Sequence, residues 1–141
     1  MTLVGNVLRF YQGCRVHERQ PVATKFGVSV SELESWLLML FNVRNICAHH
    51  GRFWNRKLVK QPKFPRHANW SHPVSIDPTT VFAALTICAY CLTKVSPGSD
   101  WQKRVRGLME SYPAIPKRTS AGWTMGVPDN WLECPLWSGA R

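Results

Sequence analysis

Arg44, Asn45 and His49 fall within one short run, Arg44-Asn45-Ile46-Cys47-Ala48-His49. On a helix, Asn45 and His49 stand four apart and share a face, while Arg44 and His49 are separated by about 140° and about 7.5 Å of rise. An imidazole that titrates near neutrality can carry a proton. A guanidinium can hold a phosphate and the extra negative charge of its pentavalent transition state. Those are the needs of RNA cleavage by the neighbouring 2′-hydroxyl, with His49 as general acid/base, Arg44 on the phosphate and Asn45 orienting either of them. The competing reading is structural: a polar set that ties a helix end to its neighbours. Arg-x4-His is too short to separate the two by itself.

The residues after the motif tip the balance. The polar run continues as His50-Gly51-Arg52-Phe53-Trp54-Asn55-Arg56, and residues 51–76 contain Arg52, Arg56, Lys57, Lys60, Lys63 and Arg66 without one acidic residue. Six positive charges with no compensating acid are expected to meet a phosphate backbone, so these residues, with His50 and Asn55, are the candidate RNA contacts. Trp54 or Trp70 could stack on bases. Large aromatics are more often core, and that reading is preferred for both. No carboxylate lies near the motif in sequence, which argues against a two-metal nuclease with its oxygen-ligated ions. No cofactor or metal is expected.

The elements that must position these residues are helical. Leu3, Val7, Leu8 and Tyr11 recur at helical spacing and predict a helix over 3–12. Pro21 predicts the start of a second helix that reaches Phe26 and stops at Gly27. Ser31-Glu32-Leu33-Glu34 has the form of a capping box, so the motif helix is expected from Ser31 to about His50, with Gly51 as its left-handed stop. Asp77-Pro78 predicts the start of a helix over 78–95 that is apolar almost all round and therefore central. Ser99 or Asp100 caps a further helix to about Ser111. Residues 113–141, with Trp123, Trp131 and Trp137, read as a tail packed by aromatics. Strand signals are weak, and the expected fold is an all-α small helical bundle in one domain, residues 1–141, with a basic loop after the motif helix.

Bulk properties narrow the classes further. The chain has 141 residues, 45% of them hydrophobic, and a formal net charge of +10, which favours an acidic partner such as nucleic acid. No apolar run reaches the roughly 18 residues needed to span a bilayer, and Met1 to Tyr11 lack a basic region typical of a secretory leader. No helix combines a basic face with a strong apolar one, so a membrane partner is not expected. The five cysteines, Cys14, Cys47, Cys88, Cys91 and Cys134, read as reduced thiols in a cytoplasmic protein rather than a disulfide framework. Cys88-x2-Cys91 with His67 and His72 could be written as a zinc site. The apolar helix around the two cysteines favours ordinary buried thiols instead. His17 reads as a surface residue.

The run Val43-Arg-Asn-Ile-Cys-Ala-His-His-Gly-Arg-Phe-Trp-Asn-Arg56 resembles the signature of the Abi-like proteins of bacterial abortive infection, of the AbiD/AbiF type, within the wider HEPN superfamily. Val7–Tyr11, Ser35-Trp36-Leu37 and Met125-Gly126-Val127-Pro128 with Trp131 extend the resemblance over most of the chain. It implies a HEPN-like fold, catalytic roles for Arg44 and His49, and for Asn45 the polar position that follows the arginine. It also implies a metal-independent endoribonuclease in an anti-phage or toxin system, yielding a 2′,3′-cyclic phosphate, with a composite active site across a homodimer. Members usually carry a substantial region ahead of this part. Some are associated with a structured non-coding RNA, and some have lost activity, which gives the alternative of a non-catalytic RNA-binding or regulatory module.

Overall fold

Two serines compete to begin the motif helix, because Ser29-x-x-Glu32 and Ser31-x-x-Glu34 both fit the capping box. The structure, a computed structural model that describes residues 3–66, 70, 73–111 and 125–139, uses the earlier one. Ser29 Oγ accepts from the Glu32 N–H, and the Glu32 carboxylate accepts from the Ser29 N–H at 2.6 Å. The expectation of Ser31 is thereby corrected. The earlier start frees Glu34, which accepts from Gln12 Nε2 at 3.0 Å and meets Arg19 Nη1 at 3.4 Å. One carboxylate thus links three helices.

Those helices are α1 (Leu3–Gly13), α2 (Val16–Lys25) and α3 (Val30–Ala48), followed by α4 (Val81–Val95), α5 (Trp101–Glu110) and a single 3-10 turn at Trp131–Glu133. No strand occurs among the described residues, and the small helical bundle expected from the sequence is what forms. The second helix begins earlier than Pro21 predicts. Glu18 accepts from the Arg15 N–H at 2.7 Å and caps the chain there, so Pro21 falls inside α2. Proline costs α2 the N–H that would bond the carbonyl four residues back. Pro21 and His17 are both exposed, so water can serve that carbonyl. Gly27, at φ 67°, ends the segment as expected.

α4 also starts later than its sequence signal. Asp77 does not cap it. Its Oδ1 accepts from the Thr79 N–H and Oγ1, each at 2.8 Å, closing a turn. Thr80 then caps the helix by accepting from the Ala83 N–H. The two bonds from Thr79, with a smaller contribution from Lys57, hold the Asp77 carboxyl below its ordinary pKa.

α3 is the hub, in contact with α1, α2 and α4. It buries Leu33, Trp36 and Met39 at three-residue intervals. Trp36 lies 5.2 Å from Trp70 and meets Tyr90 of α4 edge-on at 5.7 Å, while Tyr90 Oη donates to the Phe26 carbonyl at 2.6 Å. A second cluster surrounds the other side of α4, with Val74, Ile76, Phe82, Cys134 and Trp137. Trp137 is fully buried. Its Nε1 donates to Thr86 Oγ1 at 3.1 Å, and its carbonyl accepts from Arg106 at 2.9 Å. The tail is therefore packed by aromatics at Trp131 and Trp137, while Trp123 lies outside the described residues.

Gly126 fixes where the tail docks. It has φ 71°, and a Cβ there would overlap the Thr80 side chain that caps α4. Both its conformation and its close approach require glycine. The five cysteines are free thiols. Burial pushes the Cys88 thiol up to about 11 and the Cys91 thiol up to about 12. His67 and His72 lie outside the described residues, and among those described no group of three metal-ligating side chains occurs.

Candidate active site at the end of α3

The last turns of α3 carry Arg44 and Asn45, both half-buried, and the helix ends at Ala48 with His49 as its C-cap. Arg44 Nη1 donates to Asn45 Oδ1 at 3.3 Å. The His49 N–H donates to the Asn45 carbonyl at 3.0 Å. Asn45 therefore touches the arginine through its side chain and the histidine through its backbone. His49 itself is exposed. Neither of the two ion pairs among the described residues involves Arg44, so its guanidinium carries one neutral acceptor and keeps donors available for an anion.

The helix stop differs from the glycine rule. His50, at φ 55°, takes the left-handed position, and Gly51 comes after it. The Gly51 N–H donates to the Ile46 carbonyl at 2.8 Å and the His50 N–H to the Cys47 carbonyl at 3.1 Å. This is a Schellman ending with histidine where glycine usually sits. Gly51 answers a different demand: a Cβ there would stand 2.9 Å from the Ile46 carbonyl oxygen.

The basic loop is a strap with an inner and an outer side. Phe53, Leu58, Phe64 and Trp70 pack into the first core cluster. Arg52, Asn55, Arg56, Lys57, Lys60, Lys63 and Arg66 are exposed. Trp70, at 2% exposure, is core and is not available to stack on bases, whereas Trp54 is 38% exposed. Arg52, Asn55 and Arg56 follow the motif directly, through a turn closed by the Arg56 N–H on the Phe53 carbonyl. Lys63 is placed elsewhere. Its N–H donates to Ser35 Oγ at 2.9 Å and its carbonyl accepts from Trp36 Nε1 at 2.8 Å. Ser35 precedes His49 by fourteen positions, about 21 Å along the helix. The strap thus runs back along α3, and its charges form a track rather than a ring around His49. A shallow depression lined by Ser99, Asp100, Lys103 and Arg104 contains none of these residues.

One face of α3 lies outside both core clusters of the described residues. Leu38, Phe41, Asn45 and His49 recur at helical spacing, and the two apolar members are half-buried but packed against neither core cluster. Sequence periodicity could not single out this face, because Leu37, Leu40 and Val43, which do pack inward, are equally apolar.

The described residues thus form a helical bundle with Arg44, Asn45 and His49 at an exposed helix end and a basic strap leaving it. Residues 1–55 match the family model of the Abi-like proteins, a stretch that includes Arg44 through Asn55. No curated protein and no solved structure matches the chain. No helix among the described residues is long and apolar enough to cross a membrane.

Proposed function

We propose that this chain is a metal-independent endoribonuclease of an abortive-infection defence or toxin system. The observation that carries the reading is the placing of Arg44, bonded to Asn45, and exposed His49 in the last turns of one helix, with a basic track leading away. Arg44 holds the scissile phosphate and the charge that builds on it, and His49 transfers protons. The exposed residues from Arg52 to Arg66 hold the RNA backbone, with His50 and Asn55 beside the cut site. The products are a 2′,3′-cyclic phosphate and a 5′-hydroxyl.

We propose a second copy of the chain as the occupant of the Leu38–Phe41 face. Covering it would remove apolar surface from water and bring a second Asn45 and His49 to the same seam, giving a homodimer with a composite site.

The test is expression in a bacterial host with RNA integrity followed in parallel. Wild-type chain arrests growth and fragments RNA, and Arg44→Ala or His49→Ala relieves both. Growth arrest that depends on these residues while RNA stays intact supports a non-catalytic RNA-binding module instead.

A further inference from the structure

Among the described residues, His50 is the one non-glycine residue with positive φ, at 55°. The left-handed region is disfavoured for residues with a Cβ, and the C′ position of a Schellman ending is where glycine is ordinarily found. Among the described residues His50 bonds through its backbone and not through its imidazole. The His50 side chain is exposed, and the two bonds that close the helix come from the backbones of His50 and Gly51. A residue held in a costly conformation with no packing return is a pointer to function.

The conformation also has a geometric result. His49 lies in the bridge region, φ −95° and ψ 21°, and His50 turns left-handed. Two consecutive exposed side chains, their Cα atoms about 3.8 Å apart, therefore stand on either side of the point where the backbone changes hand. Cleavage by the 2′-hydroxyl needs two proton-transfer groups on opposite sides of the phosphorus, one at O2′ and one at the leaving O5′.

We infer that His50 is a second catalytic residue, the general acid partner of His49 within the same chain; this rests on the ribonuclease reading above. A ring nitrogen of His49 takes the 2′-hydroxyl proton as O2′ bonds to phosphorus. The P–O5′ bond breaks, and protonated His50 gives its proton to O5′. His49 ends protonated and His50 neutral, and exchange with water restores both.

The experiment uses His50→Gly, because glycine is the residue the helix ending prefers, so the variant should melt about 2–4 °C higher than wild type. Two oligoribonucleotides that the wild type cleaves are compared, one normal and one with sulfur in place of O5′ at the cut site, a leaving group that departs without a proton. The expected result is a loss of about 100-fold or more on the normal oligonucleotide, with most activity regained on the sulfur substrate. His49→Ala should lose both. Full activity of His50→Gly on the normal oligonucleotide overturns the assignment and leaves the ribonuclease reading standing. A loss that sulfur does not rescue also overturns it, by making His50 a binding or structural residue. A wild-type chain that cleaves no RNA removes the ribonuclease reading itself.

Discussion

The Arg44 guanidinium donates to the side-chain oxygen of Asn45 at 3.3 Å, from the neighbouring position on α3. The Asn45 carbonyl in turn accepts the His49 N–H. The side-chain bond is what Asn45→Ala removes, while the helix bond is kept. Cleavage should fall about 10- to 100-fold as Arg44 loses its orientation. The thermal midpoint should move only by the equivalent of about 1 kcal/mol, since one half-buried bond is lost. Cleavage kinetics beside a melting curve separate the two effects; unchanged kinetics would make Asn45 a bystander.

The basic track has a length. Lys63 is anchored about 21 Å from His49 along α3, a span of several nucleotides. Lys63→Glu should therefore weaken binding of a single-stranded RNA of twelve nucleotides and leave one of four unaffected. Arg52→Glu and Arg56→Glu should weaken both. Each lost phosphate contact should lower the salt slope of binding by about 1, a quantity that titration at several salt concentrations reads directly. Equal effects of Lys63→Glu on both lengths would contradict the placement of the strap.

Gly126 joins the tail to the cap of α4, with φ 71° and no room for a Cβ beside Thr80. Gly126→Ala combines left-handed strain with overpacking and should cost roughly 2 kcal/mol or more. Denaturant unfolding measures it. A shift of a few tenths would show that the tail contributes little to the fold.

The cysteines should divide by reactivity. Cys47 is exposed, whereas burial pushes Cys88 up to about 11 and Cys91 up to about 12. Alkylation of the native protein near pH 8, read by mass spectrometry, should label Cys47 and spare those two. Because their folded pKa values lie above the ordinary thiol value, the folded state holds its protons longer than the unfolded state does. Their contribution to stability is complete below the unfolded thiol value, about 8.5, and is lost as pH rises through about 11 to 12. Early labelling of Cys88 in folded protein would place it at the surface.

Much of this arrangement was legible in the residues. The apolar run around Ala83-Ala84-Leu85 predicts a central helix and forms one, and the alternation of charge and aromatics in 51–66 anticipates a strap with a basic outer side. The differences share a cause: a local signal can be satisfied in more than one register. Two overlapping serine–glutamate pairs offer two caps, and Ser29 is used. Asp77 signals a helix start but spends its carboxylate on Thr79. Gly51 signals the helix stop yet answers to the Ile46 carbonyl, leaving the left-handed position to His50. Lys63 could not be placed from sequence, because its bonds to Ser35 and Trp36 span more than twenty-five residues. Long-range bonds between a side chain and a distant backbone leave no periodic trace.

The most direct measurement of the central claim is incubation of purified protein with RNA in excess EDTA, with the product ends then identified. Cleavage is expected without added metal, with fragments ending in 2′,3′-cyclic phosphate and 5′-hydroxyl, and with loss of activity in Arg44→Ala and His49→Ala. Cleavage that requires a divalent ion, or that persists unchanged in His49→Ala, would contradict a ribonuclease built on Arg44 and His49.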